Sequence, residues 1–208
     1  MEKKMLFSEM LRPRSVSELM LSPTVIEFLE RLEKSGWSLN LLFYGGPGIG
    51  KTSAARILGK NADLFEVDGT SLSTDKALQK SFDSFISSLS LSALPKVCLI
   101  DEAEYLSNEI QNRLLKTIEN SSQNVRFILT ANDVMKIKGP LRSRCEPICF
   151  DIGPKDIDAV IQRLVSHYEV VLPGLGFKFD PTRLREIVGA GFPDLRSIAN
   201  KVELHFRT

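Results

Sequence analysis

The stretch that decides the fold is LNLLFYGGPGIGKTSAARIL, from Leu39 to Leu58. An apolar run leads into GGPGIGKT, which matches the pattern G-x-x-x-x-G-K-[ST] in full, and a helical pattern follows. Glycine destabilises regular structure, so four glycines in one loop require a compensating role. Between a strand and a helix, glycines let the loop curl so that several backbone N–H groups point at one anion. The dipole of the helix N-terminus also favours an anion there. This context predicts a phosphate-binding loop rather than a glycine-rich turn that binds nothing.

The loop carries the residues that a nucleotide with Mg²⁺ requires. Lys51 is expected to reach the β- and γ-phosphates of ATP, and the Thr52 hydroxyl is expected to ligate Mg²⁺. The predicted nucleotide-binding segment consists of Gly45, Gly46, Pro47, Gly48, Ile49, Gly50, Lys51, Thr52 and Ser53.

A second strand pattern, KVCLIDEAEYL, ends in the carboxylates of Asp101 and Glu102. Ligands of parallel α/β sheets bind beyond the carboxyl ends of the strands, so this pair is expected near the phosphate loop. Asp101 is predicted to hold hydrated Mg²⁺, and Glu102 to orient and deprotonate a water that attacks the γ-phosphorus. Taken alone, Asp-Glu after a strand is typical of a solvated helix cap; the phosphate loop upstream favours the catalytic interpretation. Glu104 is expected to face solvent.

Strand and helix patterns alternate along the first 150 residues, and this alternation predicts a parallel sheet covered on both faces by helices. Strands are predicted at Leu39–Tyr44, Leu64–Val67, Lys96–Ile100, Val125–Thr130 and Pro147–Phe150. Helices are predicted at Thr24–Lys34, Lys51–Lys60, Asp75–Leu89, Ser107–Asn120 and Gly139–Ser143. The apolar spacing of Phe82, Phe85, Ile86 and Leu89 favours core packing over a partner surface.

The pattern changes after Phe150, where DIGPKD is typical of a linker. Prolines at 154, 181 and 193 fit helix starts, where a missing N–H costs little. Further helices are predicted at Lys155–Tyr168, Pro181–Gly189 and Pro193–Phe206. The sequence therefore predicts an α/β domain over residues 1–150 and a small all-helical domain over residues 151–208.

The composition sets broader limits. The chain has 208 residues, 43% of them apolar and 25% charged, which is ordinary for a globular protein. It lacks a run of 18 apolar residues and a secretory signal, so no membrane span and a cytoplasmic location are expected. Cys98, Cys145 and Cys149 are too few for a zinc site or a disulfide framework. The net charge of +1 does not indicate a nucleic-acid partner, so any basic surface must be local.

These motifs resemble those of the AAA+ ATPases, and more narrowly those of the clamp-loader ATPase subunits of DNA replication. LRPRSVSELMLSP is similar to the Arg-Pro segment that lines the adenine pocket in that family, which implies a nucleotide contact for Arg12. FILTANDVMKI contains a strand that ends in Thr-Ala-Asn, the sensor-1 pattern, which implies that Asn132 positions the attacking water. Ser-Arg-Cys in PLRSRCEPICF implies an arginine finger at Arg144. GFPDLRSIANKVE resembles the sensor-2 helix, with Arg196 reaching back to the nucleotide.

The resemblance covers essentially the whole chain. It implies a P-loop AAA+ domain with a five-stranded parallel sheet flanked by helices, then a helical lid. It implies hydrolysis of ATP with Mg²⁺, and a ring of clamp-loader subunits acting with a sliding clamp and primer-template DNA. The chain looks most like the small ATPase subunit of T4-like phage clamp loaders, which implies the host cytoplasm.

Two features depart from the family pattern. Related loaders carry a third, helical collar domain, so the chain is expected to be truncated or to assemble differently. Asp68 stands where relatives often carry an Asn that restrains the catalytic Glu until DNA arrives.

The resemblance also implies how ATP binding and hydrolysis are coupled to a neighbouring subunit and to domain movement. Arg144 follows the sensor-1 strand, on the edge away from its own phosphate loop, so it is expected to serve a neighbouring subunit's ATP. Arg196 belongs to the lid and Lys51 to the large domain. ATP between them is expected to close a hinge near Asp151–Pro154.

DNA contacts are predicted on two helices. Lys76 and Lys80 share one helix face, as do Arg113 and Lys116. The resemblance implies that these helices line the inner surface around primer-template DNA, and ordinary solvated charges are the alternative. Lys116 also matches a position that relatives direct toward a neighbouring subunit. The loop Ser88–Pro95 is where relatives often touch the clamp.

Other functions fit parts of this pattern. One is another AAA+ DNA motor, such as a branch-migration helicase or a helicase loader, and Ser-Arg-Cys favours the clamp loader over it. A structural subunit that lost catalysis is disfavoured by the intact loop and carboxylates. A metabolic kinase is disfavoured because no acceptor-substrate site is visible.

Overall fold

A five-stranded, wholly parallel sheet with the strand order β2-β3-β4-β1-β5 organises the computed structural model, which describes residues 7–88, 94–120 and 124–206. The predicted sheet is therefore confirmed, and each strand begins and ends within two residues of its predicted position. The strands are β1 (Leu41–Tyr44), β2 (Asp63–Asp68), β3 (Lys96–Asp101), β4 (Val125–Ala131) and β5 (Glu146–Cys149).

Amphipathic helices up to residue 142 cover the two faces of the sheet, whereas the short α1 packs on the helical unit that follows the sheet. Two short helices, α1 and α4, were not predicted, because four to six residues give too little periodicity to recognise. The helices of this part are α1 (Phe7–Met10), α2 (Pro23–Ser35), α3 (Lys51–Leu58), α4 (Gly69–Thr74), α5 (Lys76–Ser87), α6 (Asn108–Asn120) and α7 (Gly139–Arg142).

The two faces of the sheet bury separate apolar clusters because successive strand residues point to opposite sides. Leu42 of β1 packs in the cluster of α5 and α6, whereas Leu41 packs in the cluster of α2 and α3. On α5, Phe82 is buried and Phe85 and Ile86 pack against the same cluster, which confirms core packing for these residues. Leu89 lies outside the described residues.

A helical unit follows the sheet, as predicted. It contains α8 (Ile157–Gly174), α9 (Pro181–Gly191) and α10 (Leu195–Phe206). Helix α8 continues six residues beyond its predicted end because Leu172 is fully buried in the core of this unit.

The N-terminal segment packs against this helical unit, α8 to α10, which we call the lid. Phe7 and Met20 belong to the lid's apolar cluster, and the Arg163 guanidinium of α8 donates to the carbonyls of Leu19 at 3.1 Å and Leu21 at 3.3 Å. The domain boundary at residue 151 stays a prediction, but the segment before α2 forms a bridge between sheet and lid.

Within the described ranges, no helix combines the length and apolarity that crossing a membrane requires. All three cysteines are free thiols. Burial raises the pKa of Cys145 to about 12, so this thiol stays protonated and unreactive at neutral pH.

Candidate nucleotide-binding site

The phosphate loop leaves the carboxyl end of β1 and turns directly into α3. Gly45 and Gly48 adopt φ values of 135° and 72°, which residues other than glycine rarely adopt. A Cβ on Gly48 would overlap Oδ1 of Asp194, and one on Gly45 would lie 2.7 Å from Oδ1 of Asp151. Two of the glycines are therefore required by backbone conformation and by close contact with acidic residues that follow the sheet.

Lys51 lies at the centre of the site with 7% of its surface exposed. Its ammonium donates to the carbonyls of Gly45 at 2.8 Å and Gly46 at 2.6 Å, and to Oδ1 of Asn132 at 2.8 Å. Burial lowers the pKa of Lys51, and the negative charges of Glu104 and Asp101 oppose that shift. The loop thus holds a buried cation beside the N-terminus of α3.

Oxygen ligands for a cation meet at the end of β3. The Thr52 hydroxyl donates to Oδ1 of Asp101 at 2.8 Å, and the buried Thr130 hydroxyl donates to the same oxygen. This donor set fits Mg²⁺, which prefers oxygen ligands and commonly uses one or two protein groups together with substrate phosphates. Thr130 was not predicted, although the pairing of Ile100 with Leu129 puts the ends of β3 and β4 side by side.

Glu102 occupies a strained position beside this cation site. Its side chain is exposed and lines the cavity, and its backbone has φ 52°, which is rare for residues other than glycine. Its N–H donates to Oγ1 of Thr130 at 3.0 Å, and a Cβ on Gly69 would lie 2.5 Å from its carbonyl oxygen. The backbone of Glu102, the predicted general base, is therefore fixed by its hydrogen bond to Thr130 and by its close packing against Gly69.

Glu104 does not face solvent, so that prediction is wrong. The left-handed residue Glu102 and the 3₁₀ turn Ala103–Tyr105 bring Glu104 back toward the end of β4, where only 7% of it is exposed. Its Oε1 accepts from the Asn132 backbone N–H at 2.9 Å and from Nδ2 at 2.7 Å. Sequence spacing contains no signal for this reversal, because it depends on one backbone conformation.

A cavity of about 250 Å³ opens between the loop, the N-terminal segment and the lid. Its apolar wall comes from the N-terminal segment and the lid, including Leu19, Met20, Leu164, Tyr168 and Ala199. Such a wall suits a flat, largely apolar ligand group.

The structure brings most of the predicted site residues to this one cavity. Arg12, which pairs with Glu9 at 2.7 Å, and the exposed Arg196 both line it. Gly45 and Gly46 contribute through the carbonyls that hold Lys51. The other predicted residues that line the cavity are Pro47, Gly48, Ile49, Gly50, Lys51, Thr52, Ser53, Asp101, Glu102 and Asn132.

The segment predicted as a hinge also contacts the loop. The N–H of Gly46 donates to Oδ1 of Asp151 at 2.8 Å. On the lid side, the N–H of Leu195 donates to the carbonyl of Gly48 at 3.1 Å. The hinge itself stays a prediction, and the sequence did not indicate that a carboxylate of this segment binds the loop.

Arg144 lies at the opposite edge of the sheet. Its carbonyl accepts from Nδ2 of Asn40, which precedes β1, whereas the phosphate loop follows the end of that strand. Its guanidinium is half exposed and pairs with Glu119 at 2.9 Å. Arg144 is therefore separated from its own cavity by the length of β1.

The predicted DNA-contacting residues lie away from the cavity on two helices. Lys76 and Lys80 on α5 and Lys116 on α6 are exposed. Arg113 of α6 forms an ion pair with Asp83 of α5, so the two helices are neighbours. Residues 89–93 of the predicted clamp-contacting loop lie outside the described residues.

Three features of the site lie together: a phosphate loop follows β1, carboxylates end β3, and Thr130 and Asn132 lie at the end of β4. This arrangement defines a nucleotide-binding protein of the P-loop class. The family model of the AAA ATPases (ATPase family associated with various cellular activities) matches residues 41–150, and the chain belongs to that family.

The chain is similar to replication factor C subunits over most of its length. The replication factor C small subunit of Sulfolobus acidocaldarius is 28% identical, covering 98% of this chain and 63% of that protein. Small subunit 2 of Pyrobaculum islandicum is 30% identical, covering 94% of this chain and 62% of that protein. Replication factor C subunit 3 of Schizosaccharomyces pombe is 30% identical over 76% of this chain and 49% of its own length. The chain thus spans less than two thirds of these relatives.

Among solved structures, the RuvB Holliday junction branch migration motor of Thermotoga maritima matches with a TM-score of 0.67 and 20% identity. The match covers 94% of this chain and 64% of that protein. A likeness at this identity shows a shared fold.

Proposed function

We propose that this chain is an ATP-hydrolysing subunit of a DNA-replication clamp loader, which opens a sliding clamp and places it on primer-template DNA. The observation that carries the ATPase function is the hydrogen-bonded set of Lys51, Thr52, Asp101 and Asn132 around one cavity. The loader function is supported by the similarity to replication factor C small subunits over nearly the whole chain.

In this proposal the chain's residues divide the work of phosphoryl transfer. Lys51 would exchange its glycine carbonyls for phosphate oxygens, and Thr52 and Asp101 would hold Mg²⁺, which would supply positive charge to neutralise the phosphates. Glu102 removes a proton from a water that Asn132 orients. The water oxygen then bonds to the γ-phosphorus as the bond to the ADP oxygen breaks, so the products are ADP and inorganic phosphate.

The neighbouring subunit's site is completed in trans. Arg144 is half exposed on the edge away from its own cavity. From this position its guanidinium could contact the ATP bound by a neighbouring subunit, as an arginine finger does. Arg196 of the lid senses the nucleotide and couples its binding to closure at Asp151–Pro154. We further propose that the chain resembles the T4-like phage subunit most closely.

Contact with DNA in this proposal uses the exposed faces of α5 and α6. Lys76, Lys80 and Lys116 would neutralise phosphates of the primer-template duplex, with Arg113 exchanging Asp83 for a phosphate.

The decisive experiment measures ATP turnover of the chain alone, with DNA, and with partner subunits, sliding clamp and primed DNA. Stimulation only by the full mixture supports the loader, and stimulation by DNA alone supports a different AAA+ motor. Glu102→Gln in the full mixture is expected to lower turnover about 10²–10⁴-fold with nucleotide binding retained. Glu109→Gln, an exposed acid on α6, is the matched control. Unchanged turnover with Glu102→Gln would contradict the catalytic assignment.

A further inference from the structure

Glu104 is the buried acid of the site to which the catalytic assignment gives no role. It is 7% exposed, and Oε2 has no hydrogen-bond partner among the described residues. Burying a carboxylate oxygen without a partner costs free energy, and an apolar side chain at this position would avoid that cost. The acid is therefore poorly explained by packing alone.

The other oxygen of Glu104 determines how the Asn132 amide is turned. Oε1 accepts from both the backbone N–H and Nδ2 of Asn132, while Oδ1 of Asn132 accepts from the Lys51 ammonium. A carboxylate only accepts hydrogen bonds and an ammonium only donates them. A flipped amide would face donor to donor at Lys51 and acceptor to acceptor at Glu104, so one orientation alone satisfies both neighbours.

We propose that Glu104 is a positioning residue that fixes the side-chain amide of Asn132 for ATP hydrolysis. The inference rests on the proposed ATPase function and adds a residue to it. Nδ2 keeps a second N–H and Oδ1 a second lone pair, so a fixed amide presents both groups to the attacking water or the phosphate in one geometry. Glu104 acts through Asn132 and has no contact of its own with the reacting atoms.

Turnover of the complete loader tests the role through three variants. Glu104→Ala is expected to lower kcat about tenfold to a hundredfold while KM changes less than about threefold, because orientation and not nucleotide binding is lost. Glu104→Gln retains an oxygen that accepts both bonds and is expected to restore kcat to within about threefold of the original chain. Glu109→Ala, on the neighbouring helix, is the control for loss of an acid.

A double-mutant cycle separates action through Asn132 from an independent effect. If Glu104 acts through Asn132, adding Glu104→Ala to Asn132→Ala causes no further loss of kcat. Losses that multiply, or a Glu104→Ala effect confined to KM, would overturn the proposal. So would a Glu104→Gln variant as impaired as Glu104→Ala.

A measurement without turnover distinguishes failure of this inference from failure of the ATPase function. In ¹⁵N spectra of the 208-residue chain, the Asn132 side-chain NH₂ signals, assigned by their loss in Asn132→Asp, are expected to exchange slowly with water. Glu104→Ala should speed that exchange at least tenfold and Glu104→Gln should not. Exchange that is equally slow in Glu104→Ala overturns the positioning role. Slow exchange in an original chain that fails to hydrolyse ATP in the full mixture overturns the ATPase function instead.

Discussion

Asp151, just beyond the last strand, accepts a hydrogen bond from the Gly46 amide of the phosphate loop at 2.8 Å. A carboxylate therefore binds one of the N–H groups with which the loop would hold a phosphate. This hydrogen bond connects the segment between sheet and lid to the nucleotide site. A displacement of that segment would therefore alter the position of the Gly46 amide.

Neutralising this carboxylate is expected to tighten nucleotide binding. Asp151→Asn keeps an oxygen that accepts from Gly46 but removes a negative charge that repels phosphates. Because Asp151 is exposed, we expect the ATP dissociation constant to fall only about two- to fivefold, measured by calorimetry at low salt. Asp158→Asn, an exposed acid in the first turn of α8, serves as control. Equal effects of both substitutions would show a general charge effect and not competition at the loop.

Removing the Thr130 hydroxyl is expected to disturb both acids at once, because it donates to Asp101 and accepts from the Glu102 N–H. Thr130→Val should lower the free energy of unfolding by about 1–3 kcal/mol and raise the Mg²⁺ concentration for half-maximal turnover about tenfold. Urea unfolding and a Mg²⁺ titration measure the two effects. Thr130→Ser retains the hydroxyl, and a Mg²⁺ requirement shifted equally in both variants would argue against this role.

The ion pair of Arg144 with Glu119 yields a matched test of the trans finger. In the assembled loader, Arg144→Ala is expected to reduce turnover about 10³-fold or more, while the variant chain still binds ATP at its own loop. Glu119→Ala breaks the same surface pair, which is worth at most about 1 kcal/mol, and leaves the guanidinium available. If Glu119→Ala impaired turnover as severely as Arg144→Ala, the intrachain pair and not the finger would explain the loss.

Asp68 has a structural contact that the sequence did not indicate. Its Oδ1 accepts from the Ser71 N–H at 2.8 Å, and so it caps α4. Asp68→Ala is expected to cost about 0.5–2 kcal/mol in the free energy of unfolding, and Asp68→Asn much less, because Asn also caps. Whether Asp68 additionally restrains Glu102 stays a prediction, tested by turnover of Asp68→Asn with and without DNA.

The cap also has a pH dependence with a definite sign. Hydrogen bonds from Ser71 lower the pKa of Asp68 below its ordinary value of 3.8. The folded state therefore favours the charged form, and the stabilisation is present at neutral pH and lost as the pH falls through the lowered pKa. The difference in unfolding free energy between the original chain and Asp68→Ala should shrink below about pH 4, as followed by urea unfolding. A constant difference down to pH 2 would contradict the cap.

The sequence by itself determined the features that depend on neighbouring residues. The glycine loop between β1 and α3 and the carboxylates that end β3 both follow from local patterns. Parallel strands align their carboxyl ends, so these local patterns were enough to predict one site for Lys51, Thr52 and Asp101. The place of Asn132 in that site was implied by the family resemblance.

Only the tertiary structure decided which side chains support that site. Asp151 reaches the loop across 105 residues, Thr130 reaches Asp101 across 29, and Glu104 reaches Asn132 across 28. Such contacts depend on strand register and on one left-handed residue at Glu102, which bring together segments that share no local pattern. The physical reason is that backbone conformation and burial, not residue spacing, determine where a side chain after a strand end points.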